Sequence, residues 1–132
     1  MNRDEIARGV RECVAAVVDI DPATIEETDS IIDDLGADSL DLLDLVFHLE
    51  QRFKVRINPR GIERAAQEKL GSTPVEIEGV YTPEALVELR TALPEVPADE
   101  LQDGLRTAEL PRRFRMATFV ALVSRLLEKT DG

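Results

Sequence analysis

The chain has no Trp, one Tyr and four Phe, so aromatic side chains cannot organise its interior. A core must be built from Leu, Val, Ile and Ala, and long periodic runs of those types favour helices over a sandwich or barrel. A single Cys excludes an internal disulfide and suits a reducing compartment. One Cys and one His also fall short of a structural zinc site. Lys and Arg are missing between Arg11 and Arg52, whereas Asp and Glu crowd the stretch from Asp19 to Glu50, and the net charge is −11. Such a surface repels phosphate backbones and anionic lipid, which argues against nucleic acid, and it suits partners with a basic face. No apolar run approaches the length of a membrane span, and the opening MNRDEIARGV lacks the unbroken apolar stretch of a leader. The expectation is a soluble, cytoplasmic, monomeric protein.

At 132 residues the chain fits one domain with a modest core. The spacing of Ile6, Val10, Cys13, Val14 and Val17 predicts a helix over about 4–18, with Asn2 and Glu5 as a capping pair. Cys13 falls on the apolar side, as a core thiol rather than a ligand. Asp21-Pro22 ends that pattern. A linker over 23–37 follows, and its apolar anchors Ile25, Ile31, Ile32 and Leu35 predict that it lies across the core.

A second helix should open after Asp38, a good N-cap, with Asp41 as a first-turn acid. Leu40, Leu43, Val46, Leu49 and Phe53 form a stripe that Leu42, Leu45 and Phe47 broaden past half the circumference. Asp41, Asp44, His48, Gln51 and Arg52 lie opposite. A helix so widely apolar is either packed on several sides or used for docking.

Beyond Val55-Arg56-Ile57 the residues Asn58-Pro59-Arg60-Gly61 read as a turn. A short helix over 62–70, an irregular or extended stretch to Tyr81, and a helix opened by Thr82-Pro83-Glu84 follow. Leu86, Leu89 and Leu93 line that helix before Pro94 and Pro97 break the chain. Residues 99–106 suggest another short helix, and a last one runs over about 118–129 on Phe119, Leu122, Val123, Leu126 and Leu127. Arg112-Arg113-Phe114-Arg115, a basic cluster, reads as a solvated turn.

Ser39 stands at the first position of the second helix, where its hydroxyl is accessible and a phosphodiester would sit at the positive helix end. The one His, His48, lies nine residues further along, roughly 13 Å of helix rise, too far to act as its base. Ser39 therefore reads as a substrate for modification, not as a nucleophile, and the chain as no enzyme. Gly36 allows the tight bend that offers the serine. Asp29, Asp33 and Asp34 lack the alternating ligands and central Gly of a calcium loop, so no metal site is expected.

Gly36-Ala37-Asp38-Ser39-Leu40, the helix continuing through Leu45-Val46-Phe47-His48-Leu49-Glu50 to Phe53, and Ala117-Thr118-Phe119-Val120 together resemble the acyl carrier protein family. The resemblance covers roughly 3–57 and 112–130. It implies an all-α, acyl-carrier-like four-helix bundle, with extra helices in an insertion at about 60–110 of a single domain 1–132. It also implies that a phosphopantetheinyl transferase attaches 4′-phosphopantetheine to Ser39, within the triplet Asp38-Ser39-Leu40, and that Asp38 helps present magnesium. The arm would carry acyl groups as thioesters for fatty-acid or polyketide-type biosynthesis. Acyl-transferring or chain-extending enzymes with basic patches would dock on Asp38, Asp41, Asp44, Glu50 and the apolar Phe47. An unmodified adaptor on the same scaffold is the alternative, and an intact Ser39 argues against it. The insertion is expected to fold as helices that widen the wall of the acyl-chain site.

Overall fold

The computed structural model describes residues 1–58 and 61–131. They divide into two compact units, one of residues 1–57 with the segment from Phe114 onward, the other of Asn58–Arg113. The turn expected over 58–61 includes Pro59 and Arg60, which lie outside the described residues.

In the first unit, α1 (Arg3–Val18) begins where Asn2 Oδ1 accepts the Glu5 N–H at 2.9 Å, as the Asn–Glu pair suggests, and ends at Asp19 in the left-handed region. Its expected apolar side is its buried side: Ile6, Val10, Cys13 and Val14 are sequestered and Val17 packs beside them. Two further helices, α2 (Ser39–Phe53) and α5 (Met116–Asp131), pack on α1 and on each other. α5 starts two residues before the expected boundary, because Thr118 Oγ1 reaches back to the Arg115 N–H at 2.9 Å and caps the earlier turn. One core of Ile6, Val10, Val14, Ile25, Ile31, Leu45, Leu49, Phe53, Met116, Phe119 and Val123 joins all three helices and the linker. Its aromatic members are Phe53 and Phe119, and the rest is aliphatic apart from Cys13 and Met116. At about 25 cal/mol per Å² of apolar surface, such aliphatic burial supplies the main driving force for this unit.

The linker crosses this core as its anchors predict. Ile25 and Ile31 are buried, and Ile32 and Leu35 are half-buried. Its backbone is fastened to the start of α5: Ala117 N–H donates to the Glu27 carbonyl, Met116 N–H to Asp29, and Ile31 N–H to Phe114, all within 2.9–3.3 Å. Arg11 Nε reaches the Ile25 carbonyl from α1 at 3.1 Å.

The second unit holds α3 (Gly61–Leu70), a hairpin of β1 (Glu76–Ile77) and β2 (Val80–Tyr81), and α4 (Pro83–Ala92). The stretch expected to be irregular or extended forms this hairpin, and Glu78-Gly79 closes it with both residues at positive φ, a turn that suits the twist of two strands. Thr82 caps α4 by accepting the Ala85 N–H and donates its own hydroxyl to the Pro74 carbonyl at 2.8 Å. Leu86, Leu89, Leu93, Leu101 and Leu105 are buried, and Tyr81 donates to the Glu63 carboxylate at 2.6 Å. The short helix expected over 99–106 does not form. Ala98–Glu100 and Thr107–Arg113 are 3₁₀ turns, with Gly104 at positive φ between them. Among the described residues helices and 3₁₀ turns are joined by irregular segments and one short hairpin, in agreement with the expected class.

Candidate functional site

The approach to α2 is set by a compact turn over 30–37. Asp34 and Leu35 N–H donate to the Ser30 carbonyl, Gly36 N–H to Ile32, and Ala37 N–H to Ile31, each at 3.1 Å. Gly36 ends this turn at φ +81, and an added Cβ there would meet no atom within 4 Å. Glycine is needed for backbone conformation, not for space. Ser30 is buried, its N–H bound by Asp34 and its hydroxyl accepting from Asp33 N–H. The Asp34 carboxylate is therefore committed to shaping the turn.

Asp38 then caps α2. Its carboxylate accepts the Asp41 N–H at 2.8 Å, and Asp41 returns the favour to the Asp38 N–H at 3.0 Å. This reciprocal pair holds two backbone donors and places two negative charges at the positive end of the helix. The sequence showed Asp41 as a first-turn acid but not its bond back to Asp38. The N–H groups of Ser39 and Leu40 have no acceptor within the helix, as its geometry dictates. Ser39 is exposed, and among the described residues no hydrogen bond engages its hydroxyl.

The face of α2 turned from the core differs from the one periodicity suggested. Leu45, Leu49 and Phe53 are buried, with Leu42 and Val46 packed beside them. Leu40, Leu43 and Phe47, at i, i+3 and i+7, are 73%, 59% and 58% exposed. The expected stripe mixed members of both sets: a helix apolar over more than half its circumference does not reveal which phase faces inward. The exposed line starts beside Ser39 and is bordered by Asp44, whose carboxylate lies 3.6 Å from His48. Arg52 is drawn to α1 by Glu12 at 2.7 Å. Glu50, counted from the sequence among the docking acids, is half-buried, and its Oε2 accepts the Ile57 N–H at 2.9 Å. Cys13 is buried in the core, and burial pushes its thiol up from the ordinary value. It is a packing residue.

The first unit thus offers an exposed serine at an acid-capped helix start, beside an exposed apolar line. The family model for the phosphopantetheine attachment site matches residues 8–71, through α3. An acyl carrier protein of Thermotoga maritima is 38% identical over 63 residues, 48% of this chain and 78% of that relative. Another, of Wolinella succinogenes, is 35% identical over 57 residues, 43% of this chain and 75% of the relative. One of Campylobacter curvus is 46% identical over 48 residues, 36% of this chain and 62% of its own length. No solved structure matches. The chain belongs to the acyl carrier protein family, and its role is that of a carrier. The prosthetic group of this family is 4′-phosphopantetheine, held covalently on a serine.

The residues present fit such a group. An exposed hydroxyl without a partner can form the ester, and the unfilled N–H groups of the first turn can receive a phosphodiester oxygen. Of the other serines, Ser30 is buried and Ser124 donates to the Val120 carbonyl, while Ser72 is exposed but lies in the turn after α3 and not at a helix start. Among the described residues no helix is long and apolar enough to cross a membrane.

Proposed function

We propose that Ser39 carries the 4′-phosphopantetheine arm and that the protein conveys acyl groups for fatty-acid or polyketide-type biosynthesis. The observation that carries the assignment is the pairing of an exposed, unengaged Ser39 with the reciprocal Asp38–Asp41 cap at one helix start. A phosphopantetheinyl transferase supplies the arm: the Ser39 oxygen bonds to the pantetheine-bearing phosphorus of coenzyme A, the diphosphate P–O bond breaks, adenosine 3′,5′-bisphosphate leaves, and the serine proton passes to the transferase or solvent. Asp38 lies next to the new ester and assists the transferase's magnesium. The arm, when bound, supplies a thiol that holds acyl groups as thioesters.

This chain's own residues position that ester and present a docking face. Leu40, Leu43 and Phe47 give partners an apolar strip, and Asp41 and Asp44 give basic patches a counter-charge. Glu50 contributes charge at the flank while one oxygen serves the fold. On this reading the chain is a carrier and not a catalyst, works in the cytoplasm as a monomer, and is a single carrier domain in which Asn58–Arg113 is an insertion.

Intact mass after incubation with coenzyme A and a transferase tests the assignment. One phosphopantetheine should be gained by the native chain and none by Ser39→Ala. A gain that survives the substitution, or maps to Ser72 or Ser124, overturns it. A folded native chain that takes no group at all leaves the adaptor as the better reading.

A further inference from the structure

The charge along α2 is not uniform. At the Ser39 end stand Asp38, Asp41 and Asp44, without a Lys or Arg from Glu12 to Gln51. At the other end three cations follow at alternate positions, Arg52 in the last turn of α2 and Lys54 and Arg56 beyond it. Arg52 is spent on Glu12 of α1. Lys54 and Arg56 are exposed, and among the described residues no carboxylate pairs with either.

The backbone also fixes where these two cations stand. Lys54 adopts the left-handed conformation at φ 56 and turns the chain out of the helix. Three residues later the Ile57 N–H is bound by Glu50, which brings the segment 54–57 back along the last turn of α2. On a helical wheel Glu50 adjoins Leu43 and Phe47, on the flank of the exposed apolar line. Val55 and Ile57 point their bulk inward, half-buried and buried, so Lys54 and Arg56 face out between them.

We infer that the docking face is bipolar: an apolar strip of Leu40, Leu43 and Phe47 with carboxylates at the Ser39 end and the cations Lys54 and Arg56 at the far end. The partner it fits is a protein with a basic patch beside its catalytic mouth and an acidic patch on the order of 20 Å away, the length of a fifteen-residue helix. Opposed charges at the two ends fix the direction in which α2 lies on the partner, so that Ser39 arrives at the mouth and not at the opposite rim. A uniformly acidic helix would dock equally well reversed. This inference rests on the reading of α2 as the docking helix.

The test measures kcat/KM for transfer of phosphopantetheine from coenzyme A to the full chain by a transferase, at low and at high salt. Asp44→Lys tests the docking reading and should lower kcat/KM. The double variant Lys54→Glu, Arg56→Glu tests the bipolar arrangement and should lower kcat/KM about five- to tenfold at low salt, with kcat unchanged and the loss fading in high salt. A merely acid-seeking partner predicts the opposite, since the double variant adds four negative charges' worth of change to the face. An increase, or no change, therefore overturns the inference while leaving the docking reading intact. Lys54→Gln, Arg56→Gln, which keeps the stems, should show a smaller loss in the same direction. An inert Asp44→Lys overturns both.

Discussion

The carboxylate of Glu50 accepts the Ile57 N–H at 2.9 Å, so an acid on the flank of α2 holds the chain that leaves it. Asp44, two turns nearer Ser39, makes no such bond and only approaches His48. Charge reversal should therefore act differently at the two positions. Asp44→Lys should slow transfer by partner enzymes and leave the unfolding midpoint within about 0.5 kcal/mol of native stability. Glu50→Lys should cost roughly 1–2 kcal/mol, because a half-buried donor loses its charged acceptor. Urea unfolding beside the transfer rate separates them, and equal stability of the two variants would contradict the assigned bond.

Asp38 combines two tasks that substitution can pull apart. Asparagine caps a helix about as well as aspartate, so Asp38→Asn should hold α2 while removing the charge beside Ser39. Asp38→Ala removes both and should cost about 1 kcal/mol of stability. Modification should slow in both variants to a similar degree if the charge serves the transferase. Modification that tracks helix stability instead would make Asp38 a cap only.

Much of this site was legible in the sequence, because its determinants are local. Asp38 as a cap, Ser39 after it and Gly36 before it act within a few residues, and the structure places each as read. What escaped the reading depends on neighbours far along the chain. Arg52 looks like a free cation at a helix end until α1 brings Glu12 within 2.7 Å. Leu40, Leu43 and Leu49 share one periodic stripe, and only the packing of α1 and α5 decides that Leu49 is buried with Leu45 while Leu40 and Leu43 stay exposed. The hairpin at 76–81 was too short for alternation to speak, and the turn residues Glu78 and Gly79 carry the signal.

Gly9 is a further case of contact unseen in the sequence. It lies on the buried side of α1, and a Cβ built there would fall 2.6 Å from Phe53 Cζ. Gly9→Ala gains about 1 kcal/mol of helix propensity but must displace a buried ring. We expect net destabilisation of roughly 1–2 kcal/mol, the overpacking term being the larger. Adding Phe53→Leu should recover part of the loss that Gly9→Ala causes, which a double-mutant cycle would register as coupling. Strict additivity would mean that the two residues do not compete for space.

Arg3 of α1 and Glu27 of the linker form an ion pair whose side chains meet at 2.6 Å. The hydrogen bond from Arg3 holds the Glu27 carboxyl below its ordinary 4.5. A depressed carboxyl stabilises the fold above its unfolded value, and that contribution fades as pH falls from about 4.5 through the lower folded value. Both side chains are largely exposed, so the effect is small. Glu27→Gln should be slightly less stable than native at neutral pH, with the difference closing as pH falls from 4.5 through the lower folded value. A gap that persists undiminished in acid would assign the loss to packing and not to charge.

The unit Asn58–Arg113 offers the sharpest contrast between a packed and a decorative insertion. Its prolines punctuate the sequence, yet none interrupts α4: Pro83 starts the helix, where its missing N–H costs nothing, and Pro94 lies beyond its end. The helix carries both kinds of apolar residue, Leu89 fully buried and Val87 54% exposed. Leu89→Ala should open a cavity and cost roughly 2–5 kcal/mol, whereas Val87→Ala should change stability by no more than about 0.5 kcal/mol. Amide exchange of the full chain reads this locally, without requiring that the protein unfold as one body. Slow exchange of the Leu93 N–H, which donates to the Leu89 carbonyl at 2.9 Å, should be lost in Leu89→Ala and kept in Val87→Ala. Fast exchange across 86–93 in the native chain would show that these leucines are not holding a core.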